Sequence, residues 1–108
     1  MSKRLSPIHP GEILNEEFIA PRDLSANKVA LALRIPANRL SEIVRGRRSI
    51  SADTALRLAR YFDTSPELWL NLQMHYDLEI AQDSMAEQIA REVPVGFRTP
   101  KRQARRKK

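Results

Sequence analysis

Cysteine is absent from the 108-residue chain, which removes at once a disulfide framework, a thiolate nucleophile and a cysteine zinc site. The fold must stand on packing. Histidine is nearly as scarce: His9 and His75 lie far apart without neighbouring ligands, so each reads as a surface or capping residue, and no metal or other cofactor is expected. The three glycines form no phosphate-cradling loop, no nucleophile motif is present, and Glu16-Glu17 is a solvated pair of helix neighbours rather than an acid–base couple. This pattern describes a non-enzyme. No apolar run reaches the roughly eighteen residues of a membrane span, and MSKRLSPIHP lacks the apolar core of a signal peptide. A cytoplasmic protein with no membrane partner is expected.

Acidic residues are missing after Glu92, whereas seven of the 19 basic residues fall within 98–108. The formal net charge of +6 therefore belongs to the tail, and residues 1–97 carry 12 basic against 13 acidic groups, a net of −1. Within that nearly neutral body, Arg34 to Arg48 hold five arginines against the single Glu42. A localised basic patch on a neutral body is more informative than a high isoelectric point.

That patch belongs to the stretch around which the chain is organised, Ser25 to Ser51. Val29, Ala30 and Leu33 share one helix face, Arg34-Ile35-Pro36 breaks the period, and Leu40, Ile43 and Val44 resume it. A gap of about three residues makes the two helices cross steeply, as in a helix-turn-helix. Pro36 suits the first position of the second helix, and Ala30 stands where the helices must approach closely. The outer face of the second helix is Ala37, Asn38, Arg39, Ser41, Glu42 and Arg45, whose side chains can reach base edges. Arg45-Gly46-Arg47-Arg48 follows as a phosphate clamp, because guanidinium forks onto phosphate oxygens. Ser25 and Lys28, at the start of the first helix, join Arg45, Arg47 and Arg48 as candidates for the DNA backbone. The plainer alternative is a helical pair inside an all-α core. The outer face argues against it, since it holds no large apolar residue.

Around this pair the sequence predicts an all-α bundle of five helices or slightly more. Residues 1–8 form a flexible arm, 9–93 a DNA-binding and dimerisation domain, and 94–108 a basic disordered tail. His9-Pro10-Gly11-Glu12 opens a helix that packs Ile13, Leu14 and Phe18 inward and ends at Pro21; Asp23 or Ser25 caps the next. Ser51 caps Ala52 to Phe62, whose stripe is Ala55, Leu58, Ala59 and Phe62, widened by Leu56. Ser65-Pro66-Glu67 opens a long helix with two apolar stripes: Trp69, Leu72, Tyr76 and Ile80 on one side, Leu70, Met74, Leu78 and Ala81 on another. The second stripe either meets a partner chain, making a homodimer, or completes the core. Ser84 to Val93 is a further short helix or a continuation. The tail should raise affinity for all DNA without changing preference between sequences, unless it is a passive solubilising end.

The run Arg34 to Ile50 (RIPANRLSEIVRGRRSI), together with HPGEIL at 9–14 and SPELWLNLQ at 65–73, strongly resembles the HigA/VapI family of plasmid-maintenance antidote proteins within the lambda-repressor-like (Xre) helix-turn-helix class. The resemblance covers about residues 5–95. It implies a homodimeric bacterial antitoxin, cytoplasmic and nucleoid-associated, that binds a HigB-like mRNA endonuclease toxin and represses its own operon at an inverted-repeat operator in double-stranded DNA. By this resemblance Ala37, Asn38 and Glu42 match base-facing positions, while Arg45, Arg47 and Arg48 sit where backbone contacts are made. Arg34 departs from the pattern: it holds the turn position where glycine is common in the class, so the turn either avoids positive φ or carries strain. A stand-alone repressor without a toxin, and a module whose tail binds RNA, are the other readings.

Overall fold

The computed structural model describes residues 6–98. Most of the expected arm and all of the tail beyond Arg98 lie outside the described residues. Among the described residues there are five helices and no strand: α1 (10–22), α2 (Ala26–Leu33), α3 (Ala37–Val44), α4 (Ala52–Phe62) and α5 (Pro66–Glu92). α1 changes pitch along its length, from an α turn at Pro10–Ile13 through a π stretch at Leu14–Ile19 to a 3-10 turn at Ala20–Arg22. Pro21 lies inside that last turn and does not end the helix. It does lack an N–H, and the Arg22 guanidinium takes over as donor, bonding the carbonyls of Glu17 at 3.3 Å and Phe18 at 3.0 Å.

The start signals act where the sequence put them. The hydroxyls of Ser25, Ser51 and Ser65 accept from the backbone N–H of Lys28, Thr54 and Leu68 at 3.1, 3.3 and 3.1 Å. Of the two candidates for α2, Ser25 is the cap; Asp23 instead ends α1. Pro36 is displaced by one position from the sequence expectation. Its ψ of 141° is extended, so it precedes α3 rather than occupying its first turn.

Left-handed residues close the helices: Asp23, Arg34, Asp63 and Gly46 all have positive φ. At Arg34 the N–H of Ile35 reaches back to the Ala30 carbonyl at 3.1 Å and that of Arg34 to Leu31 at 3.2 Å, a Schellman closure that buries Ile35 beside Ala30. The turn of the helix-turn-helix therefore carries the strain instead of avoiding it, with Arg34 at φ 61°. A β-carbon in this region costs on the order of 1 kcal/mol. Arg34→Gly should then raise the melting temperature by a few degrees in a thermal scan. A lower one would show that the Arg34 side chain outweighs the strain.

The core is a single cluster in which Leu14, Val29, Ala30, Leu40, Ile43, Ala55, Leu58 and Trp69 are each at most 1% exposed. Phe18 bridges it to the end of the bundle, its ring 5.3 Å from Phe62 and 5.0 Å from Trp69. Leu56 does not widen the α4 stripe: it is 61% exposed, because it lies off the face that carries Ala55, Leu58 and Ala59. Ile80 is likewise exposed, since α5 has run past the body by that point. α5 continues without a break to Glu92, so Ser84 to Glu92 is a continuation. Its 27 residues extend ~40 Å at about 1.5 Å each, and every one of them from Ala81 to Glu92 is exposed.

Candidate nucleic-acid interface

α2 and α3 are eight residues each and pack directly on one another. α3 buries Leu40 and Ile43 and leaves Ala37 and Asn38 exposed, with Arg39, Ser41 and Glu42 half-buried along its flank. Helical spacing puts Ala37, Ser41 and Arg45 in one row and Asn38 and Glu42 in the next, so these five share a face. Arg39 stands at the margin. It lines a groove with Arg48, Ser49, Ser51, Asp53 and Thr54, next to the start of α4. Lys28 and the Ser25 cap are exposed at the N-terminus of α2, and Arg45, Arg47 and Arg48 are exposed after α3. The sequence-derived residues are thus brought together on the helix pair and the turn that follows it.

Two assignments made separately are linked in the structure. The Arg48 guanidinium donates to Glu42 Oε1 through Nε at 2.8 Å and closes a salt bridge through Nη2 at 2.7 Å, with both side chains more than 40% exposed. An exposed pair is worth no more than about 1 kcal/mol, so it opens cheaply for a base or a phosphate. Until it does, Glu42 carries no free negative charge on the α3 face.

The turn after α3 is held from behind by residues that a motif search passes over. Gly46, at φ 77°, closes α3 with bonds from its N–H to Ile43 at 3.0 Å and from Arg47 N–H to Glu42 at 2.8 Å. Downstream, the buried amide of Gln73 on α5 accepts from Ile50 N–H at 2.8 Å and donates to Asp77 at 2.9 Å. Gln73 falls on the apolar side of α5, and period alone could not assign a polar residue there to the core. Upstream, Gly11 of α1 meets the carbonyl of Ile43 so closely that a β-carbon would overlap it. His9 caps α1, its Nδ1 accepting from Gly11 N–H at 2.9 Å, and its ring stands edge-on to Tyr76 with centroids 4.8 Å apart. Of the two readings for this histidine, the structure selects capping. Burial pushes the His9 imidazole below its ordinary value, against the opposite influences of the Asp77 carboxylate and the nearby Arg48 backbone. No group of His, Asp or Glu suited to a metal ion occurs among the described residues, and no helix among them is long and apolar enough to cross a membrane.

Five helices built around the α2–α3 pair, with a polar face on the second helix of the pair and arginines at its exit, define a helix-turn-helix domain of the lambda-repressor-like class. The helix-turn-helix family model matches residues 16–69, half of the chain. Virulence-associated protein I of Dichelobacter nodosus is 55% identical over 75 residues, covering 69% of each chain. The structure of the Pseudomonas aeruginosa antitoxin HigA with the higBA promoter superposes with a TM-score of 0.81 at 47% identity, covering 84% of this chain and 99% of that one. An addiction module antidote protein of the HigA family from Coxiella burnetii gives 0.78 at 52% identity, covering 83% and 98%. The chain belongs to this helix-turn-helix family, in its HigA/VapI branch, a DNA-binding and non-enzymatic class.

Proposed function

We propose that this chain is a homodimeric antitoxin that represses its own operon and neutralises a HigB-like toxin. The single observation that carries DNA recognition is the polar face of α3 continuing into three exposed arginines at 45, 47 and 48. Asn38 pairs with adenine and Glu42 accepts from cytosine once Arg48 leaves it, with Ala37, Arg39 and Ser41 completing the base-facing set. Arg45, Arg47, Arg48, Ser25 and Lys28 take phosphates and set the register without reading sequence. The solved likeness to HigA with its promoter supports this reading. Domain limits follow from it: 9–93 performs recognition and pairing, with arm and tail as appendages.

Pairing is assigned to α5. Leu70, Met74 and Leu78 remain 37–52% exposed, and Ala81 is exposed beside them. Met85 and Ile89 continue the same stripe at 44% and 45%. Two recognition helices related by a two-fold axis then read half-sites about 10 base pairs apart.

Reading and clamping separate by mutation. Asn38→Ala should cost roughly 1–3 kcal/mol on the operator and little on random DNA. Arg47→Ala should weaken both alike and reduce the salt slope by about one. Fluorescence anisotropy on both duplexes over a salt series measures this, and equal losses for Asn38→Ala would refute the assigned face. For the toxin, expression of the native operon should yield a stable complex with a small endonuclease encoded beside this chain. If no neighbouring product co-purifies, the chain acts as a stand-alone repressor.

A further inference from the structure

The turn that carries the arginines has one wall that belongs to neither helix of the helix-turn-helix. A β-carbon placed on Gly46 would lie 3.6 Å from Cγ and 3.7 Å from Cβ of His9, so the histidine side chain is seated against the residue that closes α3. The same ring is fixed on its other sides by the Gly11 N–H and by the Tyr76 ring. Gly11, Gly46 and Tyr76 come from three separate parts of the sequence, and His9 meets all three. Because Nδ1 accepts from Gly11, the remaining nitrogen Nε2 must carry the proton, and the neutral ring is the form that fits.

We propose that His9 is the positioning residue of the DNA-contacting turn: its neutral ring, capped onto Gly11, is the wall against which Gly46 sits so that Arg45, Arg47 and Arg48 face phosphates, and protonation releases that hold. The inference rests on the DNA-binding reading given above. A proton added at Nδ1 abolishes the acceptor for Gly11, so the cap is lost and the ring must turn, which removes the wall from Gly46. The titratable groups facing the ring are Asp77 and Tyr76 on α5, with the Arg48 backbone across the turn; the Arg48 guanidinium is engaged by Glu42, and Glu12 lies in the first turn of the helix that His9 caps. Asp77 and the Arg48 backbone favour protonation, but the Asp77 carboxylate is already engaged by Gln73, and burial of the ring opposes the charge more strongly. The neutral form is therefore favoured by folding, and release comes as pH falls below the ordinary imidazole value.

His9→Asn discriminates a latch from a simple cap, because asparagine is among the best N-cap residues and does not titrate; it keeps Cβ and Cγ beside Gly46 but lacks the ring that Tyr76 pins in place there. Full-length wild type and variant are titrated with operator and random duplexes at pH about 7.5 and about 5, with circular dichroism confirming the fold at both. Wild type should lose affinity roughly fivefold on acidification for both duplexes, the worth of one ordinary hydrogen bond. The variant should already be roughly fivefold weaker at the higher pH and change little on acidification. His75 is present in both proteins, so any contribution from it cancels. In the free chain, the amides of Gly46 and Arg47 should exchange faster in the variant, and in wild type at low pH after correction for intrinsic rates. A variant that binds as wild type at the higher pH, follows the same pH profile, or protects those amides equally overturns the latch. A folded chain that binds neither duplex overturns the DNA reading instead, and the exchange rates still decide whether His9 holds the turn.

Discussion

Gly11→Ala is expected to be the most damaging single-atom-scale change in the protein, lowering stability by about 3 kcal/mol or more and the melting temperature by at least ~12 °C. The added methyl would overlap the Ile43 carbonyl, and the atom it meets is backbone in the last turn of α3 rather than the movable end of a side chain. Relief needs α1 and α3 to separate, which opens the cluster around Leu14, Leu40 and Ile43. The same separation carries the recognition helix away from its seat, so operator affinity should fall at temperatures where the variant remains folded. Thermal scans and anisotropy titrations on one preparation measure both. A variant within about 1 kcal/mol of wild type would show that α1 slides along α3 at little cost.

Leu78→Asp should convert the protein to a monomer and lower affinity for the inverted repeat by about 100-fold or more. Leu78 is 52% exposed in the single chain and sits between Met74 and Ala81 on the stripe assigned to pairing. Two-fold symmetry places the substitution in the interface twice, and each carboxylate would be desolvated without a partner, at a cost of several kcal/mol. Because residue 78 lies on the face of α5 away from Trp69 and Gln73, stability of the isolated domain should change little. Light scattering at micromolar concentration gives the mass, and titration of one against two half-sites gives the coupling. A variant that remains dimeric would remove α5 from the interface, and Leu31 and Leu56, exposed on α2 and α4, would be the next surfaces to test.

His9 adds a pH dependence to stability as well as to binding. Its folded-state value is lowered from the ordinary one, so below that ordinary value the unfolded chain takes a proton that the folded chain resists. The contribution is present above the unfolded value and is lost as pH falls through the folded one.

Local chemistry was legible from residues alone. Ser25, Ser51, Ser65 and Pro66 open their helices because a cap or a missing N–H acts within one turn and needs no distant partner. The crossed pair, the polar face of α3, the arginine exit and the opposed stripes of α5 were readable for the same reason: a 3.6-residue period fixes which side chains share a face. The boundaries that slipped, Pro36 by one residue and Pro21 by its whole role, did so because proline fixes φ but leaves ψ and the donor that replaces its N–H to the surroundings.

What the tertiary structure alone decided lies between residues far apart in sequence. Gln73 meets Ile50 across 23 positions, and Arg57 reaches the Leu33 carbonyl across 24. Gly11 meets Ile43, and His9 meets Gly46 and Tyr76, over longer spans still. Nor could the sequence show that Arg34 accepts a left-handed turn, that Glu42 and Arg48 neutralise each other, or that Leu56 is left outside. Periodicity assigns a residue to a face of its own helix, whereas the neighbour that face meets is set by how five helices share one small core. The sequence therefore determined the elements and the polar surface they present; their mutual packing determined which residues hold that surface in place.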